Sequence, residues 1–542
     1  MNSPEIGFDK RNLREKSAAE QFLARHQQWV IGLVVMPVSY FNHLYQRASH
    51  FLAKRRATQS ASDVQVLHRE KVHRVMADVQ RWAALPAERR PPIRTDRSGA
   101  ASHSVRSSDK SGSHQVRMHD FNRILGIDLA KGTVTIEPFV TVGELTTWLL
   151  QHDRMLEATL EMEDATLGGL ALSQGMTTHS HRCGLVHDTV MRYEFVTGRG
   201  DCIEATATGN ADVFRAAGFS HGTLGFLTAL ELKIVPASRE LLVSYQRCDS
   251  IDELYRQYRH AIEHTDAFFL EAIIYSPRHA VLIRGDLLTP ATQQEARSRG
   301  VRTNHQGRWH KPWFFVHAEK VPNGHQEFMP MRDYLMRHDR SLCMTMLYVF
   351  PAGNHPLMRW LLGWMLPPKV TFLKALRPPE AREDAAREQV YQDLAFPIEH
   401  LADMVDYVDA RLGIYPLLLY PCKVHDHGGF IRHPGERGAS DDATRTRYYL
   451  NLGIYGVPNA VRIGDPHFNV ISEVRGLLEK LRGLGGFQHS YCDVFQTREE
   501  FYRMFDVTLS NAVRKRLGSE QLVTVYDKVK PEIPWEDWSS PA

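Results

Sequence analysis

Twenty-five consecutive residues, TLGGLALSQGMTTHSHRCGLVHDTV (166–190), gather four glycines, a series of hydroxyl side chains and three histidines without a run of charge. Small side chains let a backbone come within contact distance of a large polar ligand, and successive N–H groups form anion-binding concavities. The residues suited to that role are Thr166, Gly168, Gly169, Ser173, Gly175, Thr178, His179, Gly184 and Asp188. Two flanking segments carry the same chemistry: Arg97, Ser98, Gly99, Ser102 and Ser104 upstream, and Gly222, Thr223 and Gly225 downstream. Each pair of small residues alone is a turn. Together, in this order, they describe a dinucleotide cradle built from three separated stretches. A Rossmann fingerprint would place GxGxxG between a strand and a helix, but GRGDCI (198–203) occupies a hairpin turn, so the cradle is of another kind. For His179, His181 and His187 no acidic partner or cysteine pair completes a ligand set, and no metal is expected.

The elements that must position these residues follow from periodicity. Residues 61–90 read as a helix, with Val64, Leu67, Val72, Val75, Val79 and Trp82 among the apolar positions at helical spacing, and Pro91-Pro92 ends it. A Ser/Gly-rich polar loop follows (94–120). GTVTIEPFVTVGELTTWLLQHDRM then alternates as a strand and continues as a helix from about Val142. Two β-rich runs around Gly198–Asp201 form a hairpin, and a short helix leads to a strand ending at Pro236. Beyond Pro236 the chain becomes aromatic and mixed, as in HKPWFFVH (310–317), RWLLGWMLPP (359–368) and GIYPLLLYP (413–421). The expected organisation is an α+β protein of three parts: residues 1–60, 61–236 and 237–542.

A chain of 542 residues exceeds one ordinary core. Its net charge of +3 gives no reason to expect nucleic acid, and six scattered cysteines suit reduced thiols. The N-terminal part is less ordinary. No charge occurs from residue 26 to residue 46, and basic residues flank that window (Lys10, Arg11, Arg14, Lys16 and Arg25 before; Arg47, Lys54, Arg55 and Arg56 after). This reads as an interfacial helix or a marginal membrane span, with a helix buried on the protein body as the alternative.

The order VTIEPFVTVGELTTWLL, then TLGGLALSQGMTTHSHRCGLVHDTV, then YEFVTGRGDCIEATATGNADVFRAAGFSHGTLGFLTALELKIVP resembles the vanillyl-alcohol-oxidase type of FAD-binding domain. Within that superfamily the chain resembles the Δ24-sterol reductase (Diminuto/seladin) family. KPWFF, YLMRHDRS, GNHPLMRWLLGWMLPPKV, YPLLLYP, GIYG and GGFQHSYCDVFQTREEFYRMFD extend the likeness through the C-terminal half. The resemblance implies a two-subdomain, PCMH-type FAD domain under an α+β cap, FAD as cofactor and NADPH as reductant. It also implies flavin contact from Thr146, Thr147, Trp148, Leu149, Leu150, Gln151, His152, Asp153, Arg154, Met155, Leu156, Glu157 and Ala158. Periodicity alone makes Trp148, Leu149 and Leu150 a buried helix face. Covalent members of the superfamily tether FAD through a first-loop histidine. His103 in GAASHSVR lacks the RGxGHS spelling, so it reads as a solvated histidine and the FAD as non-covalent.

The implied reaction reduces an isolated carbon–carbon double bond in a sterol side chain. No carbonyl takes up the electrons, so a general acid must protonate the alkene in a dry, aromatic-lined pocket. The acid candidates are Tyr491 and Asp493 in HSYCDVF, with His338 and His489 behind them. A lipid substrate would also explain membrane association, with the catalytic part on the cytoplasmic side and, in a eukaryote, at the endoplasmic reticulum. Two other readings remain open. One is a flavin oxidase or dehydrogenase of an alcohol, sugar or lactone; the other is an inactive lipid-binding scaffold.

Overall fold

The computed structural model describes residues 27–45, 61–99, 103–106, 110–264, 267–375, 379–431 and 445–536. Helix Ala61–Ala83 buries Val72, Val75, Val79 and Trp82 against Ile93, Val116, Met118 and Phe121. It stops short of the expected residue 90 because Pro86 cannot donate to the preceding turn. The polar loop is bracketed by two short parallel strands, β1 (Ile93–Thr95) and β2 (His114–Val116).

The first large sheet holds β3 (Ile124–Asp128), β4 (Thr133–Ile136), β5 (Arg154–Leu156), β6 (Val190–Val196), β7 (Cys202–Ala205) and β8 (Phe226–Pro236), in the order β3-β4-β8-β6-β7 with β5 also on β8. The expected hairpin pairs Val196 with Cys202 and turns at Gly200 with φ 84°. Only three residues separate β8 from β9 (Glu240–Cys248), which opens a second sheet. That sheet continues with β10 (Phe269–Ser276), β11 (His279–Leu287), β12 (Gln326–Pro330), β13 (Val390–Pro397), β14 (Leu417–Asp426), β15 (Arg445–Gly456) and β16 (Phe487–Gln488), in the antiparallel order β12-β9-β11-β10-β14-β15-β13-β16.

Both faces of the second sheet are covered. Leu270, Ala272, Leu394, Phe396, Leu419, Leu450 and Leu452 pack on one side with helices Ile251–His264, Leu401–Arg411 and Val470–Gly483. Alternate residues, among them Phe269, Ile273, Ala395, Leu418, Tyr420, Tyr449 and Tyr455, join the core shared with the first sheet. By the two-residue strand period, Glu271, Asp393 and Asn451 share that inner face. The C-terminal segment returns to the first unit: Ser519 Oγ donates to the Leu224 carbonyl at 2.6 Å and Arg514 to that of Thr223 at 2.8 Å.

The apolar N-terminal segment is helical from residue 27 to 45, with a wide turn at Ile31–Val35. Gly32 lies against Phe350 and Leu362, Tyr40 meets Trp364 edge-on at 4.8 Å, and Ser39 Oγ accepts from the Lys369 amide at 2.9 Å. Among the described residues no helix is long and apolar enough to cross a membrane. One side of this helix packs on the second unit; Trp29, Leu33, Val34, Val38 and Phe41 stay exposed. The basic flanks and Ser102 lie outside the described residues.

Candidate functional site

Cations converge where the first loop, the end of the glycine-rich region and two distant segments meet. Lys110 Nζ donates to the carbonyls of Thr95 (2.7 Å) and Arg97 (2.6 Å), and Lys374 Nζ to those of Ser104 (2.8 Å) and Gly99 (3.3 Å). Lys528 Nζ donates to the His221 carbonyl. Burial, then the repulsion of Arg94 and Arg97, brings Lys110 down to about 8. Burial and then Arg106 bring Lys374 to about 8, and burial followed by Lys110, Arg94 and Arg97 does the same to Lys528. Lys528 is solvent-exposed beside the other cations. Arg97, lowered to about 10 by burial, lies over Phe139 and donates to Thr166 Oγ1 at 3.2 Å. A pyrophosphate is the chemistry that such a cluster suits.

The glycines divide into two kinds. A methyl group on Gly168 would fall 2.4 Å from Pro138 Cβ, and one on Gly225 would fall 2.6 Å from the Val196 carbonyl oxygen. Gly175 is wedged between Val186 and Leu170, and Gly184 against Asp188. These four are small because the chain packs on itself. Gly222 differs: φ is 72°, and its open side looks toward Lys528 Nζ at 3.6 Å. Gly169 is exposed beside Thr166 Oγ1, Ser173 is half-buried, and Ser98, Gly99 and Ser104 border the cationic loop.

The segment 146–158 is mostly scaffold. Thr146 and Leu149 are buried in helix Val142–Leu150, and Thr147 Oγ1 accepts from Arg332 at 3.3 Å. Leu150 and Trp148 are half-buried, the Trp148 ring lying 4.4 Å from that of His152. Gln151, His152 and Asp153 form an exposed turn, and Arg154, Met155 and Leu156 are β5. Its end reaches the glycine-rich stretch: the Glu157 carbonyl accepts from His179 Nδ1 at 2.6 Å, beside buried Ala158. Burial lowers His179 to about 3, so its ring is neutral, and it stacks on Phe268 at 4.0 Å. His103 is half-buried rather than solvated, and its Nε2 has no partner. His187 and Asp188 do meet a third group, His427, whose Nε2 lies 2.6 Å from Asp188 Oδ1.

Across from the glycine-rich stretch, two of the buried carboxyls on the inner face of the second sheet have opposite surroundings. Glu271 on β10 takes Arg337 Nε at 2.7 Å and His338 Nε2 at 3.0 Å. Burial alone would raise it, but Arg337 and His338 prevail and hold it at about 2. Asp393 on β13 has no cation against it. It accepts from Tyr455 Oη at 2.5 Å and Asn451 Nδ2 at 2.8 Å, and burial lifts it to about 7. Tyr455 Oη lies 3.3 Å from Tyr491 Oη, and Tyr491 is 37 % exposed, so a chain of hydroxyls runs from the buried acid to open space. Gln174 Oε1 accepts from the Ser490 amide at 2.8 Å, the Tyr491 carbonyl accepts from Val105 N at 3.0 Å, and Arg106 donates to the carbonyls of Ser490 and Cys492. These contacts join Tyr491 to the cradle.

Asp493 is placed differently from Tyr491. Its carboxylate pairs with Arg382 and its carbonyl accepts from Gln392 and Gln488, so it binds segments together. His489 is buried and brought down to about 4 by burial. Around this seam Tyr420 Oη, His179 Nε2 and His489 Nε2 are buried without partners. An unsatisfied buried polar group costs about 1–3 kcal/mol, so this many in one region suit a bound polar group. Sequence reasoning missed Asp393, Glu271, Arg337 and the three lysines. VYQDLAFP and FLEAIIYS did carry a signal for the two acids, each a carboxyl inside an otherwise apolar strand.

Residues 75–206 match the FAD binding domain family. The chain is 29% identical over 514 residues to a Δ24-sterol reductase of Homo sapiens, covering 94% of each. It is 30% identical over 435 residues to the Δ24-sterol reductase of Arabidopsis thaliana, covering 77% of this chain and 76% of that protein. A homologue of Δ24-sterol reductase from Caenorhabditis elegans is 28% identical, with 94% of this chain covered.

Proposed function

Because the chain belongs to the Δ24-sterol reductase family, we propose that it is an FAD-dependent oxidoreductase that saturates an isolated side-chain double bond of a sterol, with NADPH as the electron source. The observation that carries this reading is the hydroxyl chain from Asp393 to Tyr491 at the edge of a cationic, glycine-lined cradle. Arg97, Lys110, Lys374 and Lys528 would hold the pyrophosphate, with Gly169, Ser173 and Gly222 beside the dinucleotide and no covalent tether. The bound flavin supplies hydride. Tyr491 contributes the proton, since a phenol is fully protonated at neutral pH and its hydroxyl reaches open space. Arg337 and His338 keep Glu271 ionised, and the three groups tie the inner face together. Asp493, engaged by Arg382, keeps the strand end in place.

Incubating the purified yellow protein with NADPH and a side-chain-unsaturated sterol tests this reading. A product heavier by two mass units is expected; an unchanged sterol in the presence of reducible flavin rejects it. Lys528→Met removes one charge-assisted contact, and FAD affinity is expected to fall on the order of tenfold or more, read by fluorescence titration of the apoprotein.

Residues 27–45 would rest on a membrane surface rather than cross it, with the catalytic part on the cytoplasmic side. The exposed Leu357, Trp360, Leu361 and Trp364 of the second unit continue the apolar face through the Tyr40–Trp364 contact. Arg308 and Lys311 lie beside Trp309 and His310 at its border, complementary to anionic headgroups. Trp360→Ser combined with Trp364→Ser is expected to cut co-sedimentation with anionic vesicles by roughly tenfold or more. Unchanged binding would remove that surface from the reading.

A further inference from the structure

Two buried carboxyls of the inner face differ in what surrounds them. Glu271 sits between a guanidinium and an imidazole, whereas Asp393 has only neutral hydrogen-bond partners, Tyr455 and Asn451 of β15. The other ionisable groups close to Asp393 are the Glu161 carboxyl and the thiols of Cys343 and Cys492. Burial pushes both thiols well up, so they are neutral, and Glu161 disfavours a second negative charge. The His489 backbone amide binds the Asp393 carbonyl at 2.9 Å and leaves the carboxyl alone. Carboxyls whose surroundings push them apart take opposite proton-transfer roles.

We propose that Asp393, Tyr455 and Tyr491 form a proton wire in which the Asp393 carboxylic acid recharges Tyr491 as that phenol protonates the substrate. This rests on the sterol-reductase reading above. Asn451 Nδ2 donates to Asp393 Oδ1, which leaves Oδ2 to carry the proton toward Tyr455. With the acid protonated, Oδ2–H donates to Tyr455, Tyr455 to Tyr491, and Tyr491 outward, so every link points to the open side.

In the step itself, the Tyr491 O–H bond breaks and a C–H bond forms with the alkene's π electrons. The neighbouring carbon, now electron-poor, takes a hydride and its electron pair from the reduced cofactor. In the same step Tyr491 takes up the Tyr455 proton and Tyr455 that of Asp393, leaving Asp393 as the anion. After product leaves, solvent returns one proton through Tyr491 by the reverse relay. One proton and one hydride are consumed for each double bond.

Asp393→Asn, which keeps shape and hydrogen bonds, supplies the test alongside Tyr455→Phe. In the infrared spectrum of the oxidised holoenzyme near pH 6, the wild type is expected to show a carboxylic-acid C=O band that titrates near pH 7 and vanishes in Asp393→Asn. In single-turnover sterol reduction, the wild-type rate falls as pH rises through about 7. Asp393→Asn is expected to lose that limb and to run on the order of tenfold to a hundredfold slower, while NADPH still bleaches its flavin. Tyr455→Phe keeps the infrared band and slows the same step. A wild type lacking the band, or an Asp393→Asn enzyme with the same pH limb, overturns the wire even where sterol is reduced. A titrating band in an enzyme that reduces no sterol overturns the functional reading, and the wire falls with it.

Discussion

Tyr491→Phe is expected to slow sterol reduction by roughly a hundredfold to ten-thousandfold, the usual range for loss of a positioned acid. Flavin content and the bleaching of flavin by NADPH should not change, because the ring stays in place and only its hydroxyl is lost. That hydroxyl is the outermost link of a relay whose inner members, Asp393 and Tyr455, are buried. Stopped-flow measurement of the two half-reactions separates the effects: only reoxidation by sterol should slow. Asp493→Asn should behave otherwise. It breaks the pair with Arg382 and lowers stability before it touches chemistry. Equal losses in both half-reactions for Tyr491→Phe would remove Tyr491 from the acid role.

A second large effect is expected from Arg337→Met. Arg337 is almost wholly buried and holds Glu271 at 2.7 Å and Glu161 at 3.4 Å, while its guanidinium lies over Tyr334 at 4.2 Å. Removing one partner of a buried pair leaves an uncompensated charge and costs about 3–5 kcal/mol. The sign with pH follows from Glu271, held at about 2 against an ordinary 4.5. In the wild type this pairing contributes stability that is full above about 4.5 and is lost as pH falls toward 2. In the variant burial dominates and the carboxyl binds a proton more readily, so the penalty grows as pH rises. Urea unfolding at pH 5 and pH 8 should therefore show a larger deficit at pH 8. Arg337→Met combined with Glu271→Gln should recover much of it, and a deficit independent of pH would count against the charge as its cause.

How much of this was legible in the chain depends on the range of each interaction. Local patterns read well: the helix of Val72, Val75 and Val79, the hairpin at Gly198–Asp201, and the strand ending at Pro236 all appear. The glycine pattern reads differently in part, since Gly168 and Gly225 are small to admit Pro138 and Val196 rather than a ligand. Long-range groupings were invisible. Tyr455 and Asp393 are 62 positions apart, and Lys374 meets Ser104 across 270. Such neighbours are set by sheet order, which one sequence does not spell out. The N-terminal segment shows the same limit: hydropathy marked it, but its depth depends on Trp364 and Lys369, more than 300 residues away.

The return of the C-terminal segment to the first sheet has a consequence for biogenesis. Lys528 binds the His221 carbonyl, and Arg514 and Ser519 clamp the carbonyls of Thr223 and Leu224 beside Gly222 and Gly225. During synthesis the glycine-rich half leaves the ribosome some 300 residues before its clamp. On the proposed placement of the coenzyme, a nascent chain would offer it an open trough, and tight retention would await release of the finished polypeptide. Fragments stopped ahead of residue 508 should emerge colourless even where their first sheet has formed.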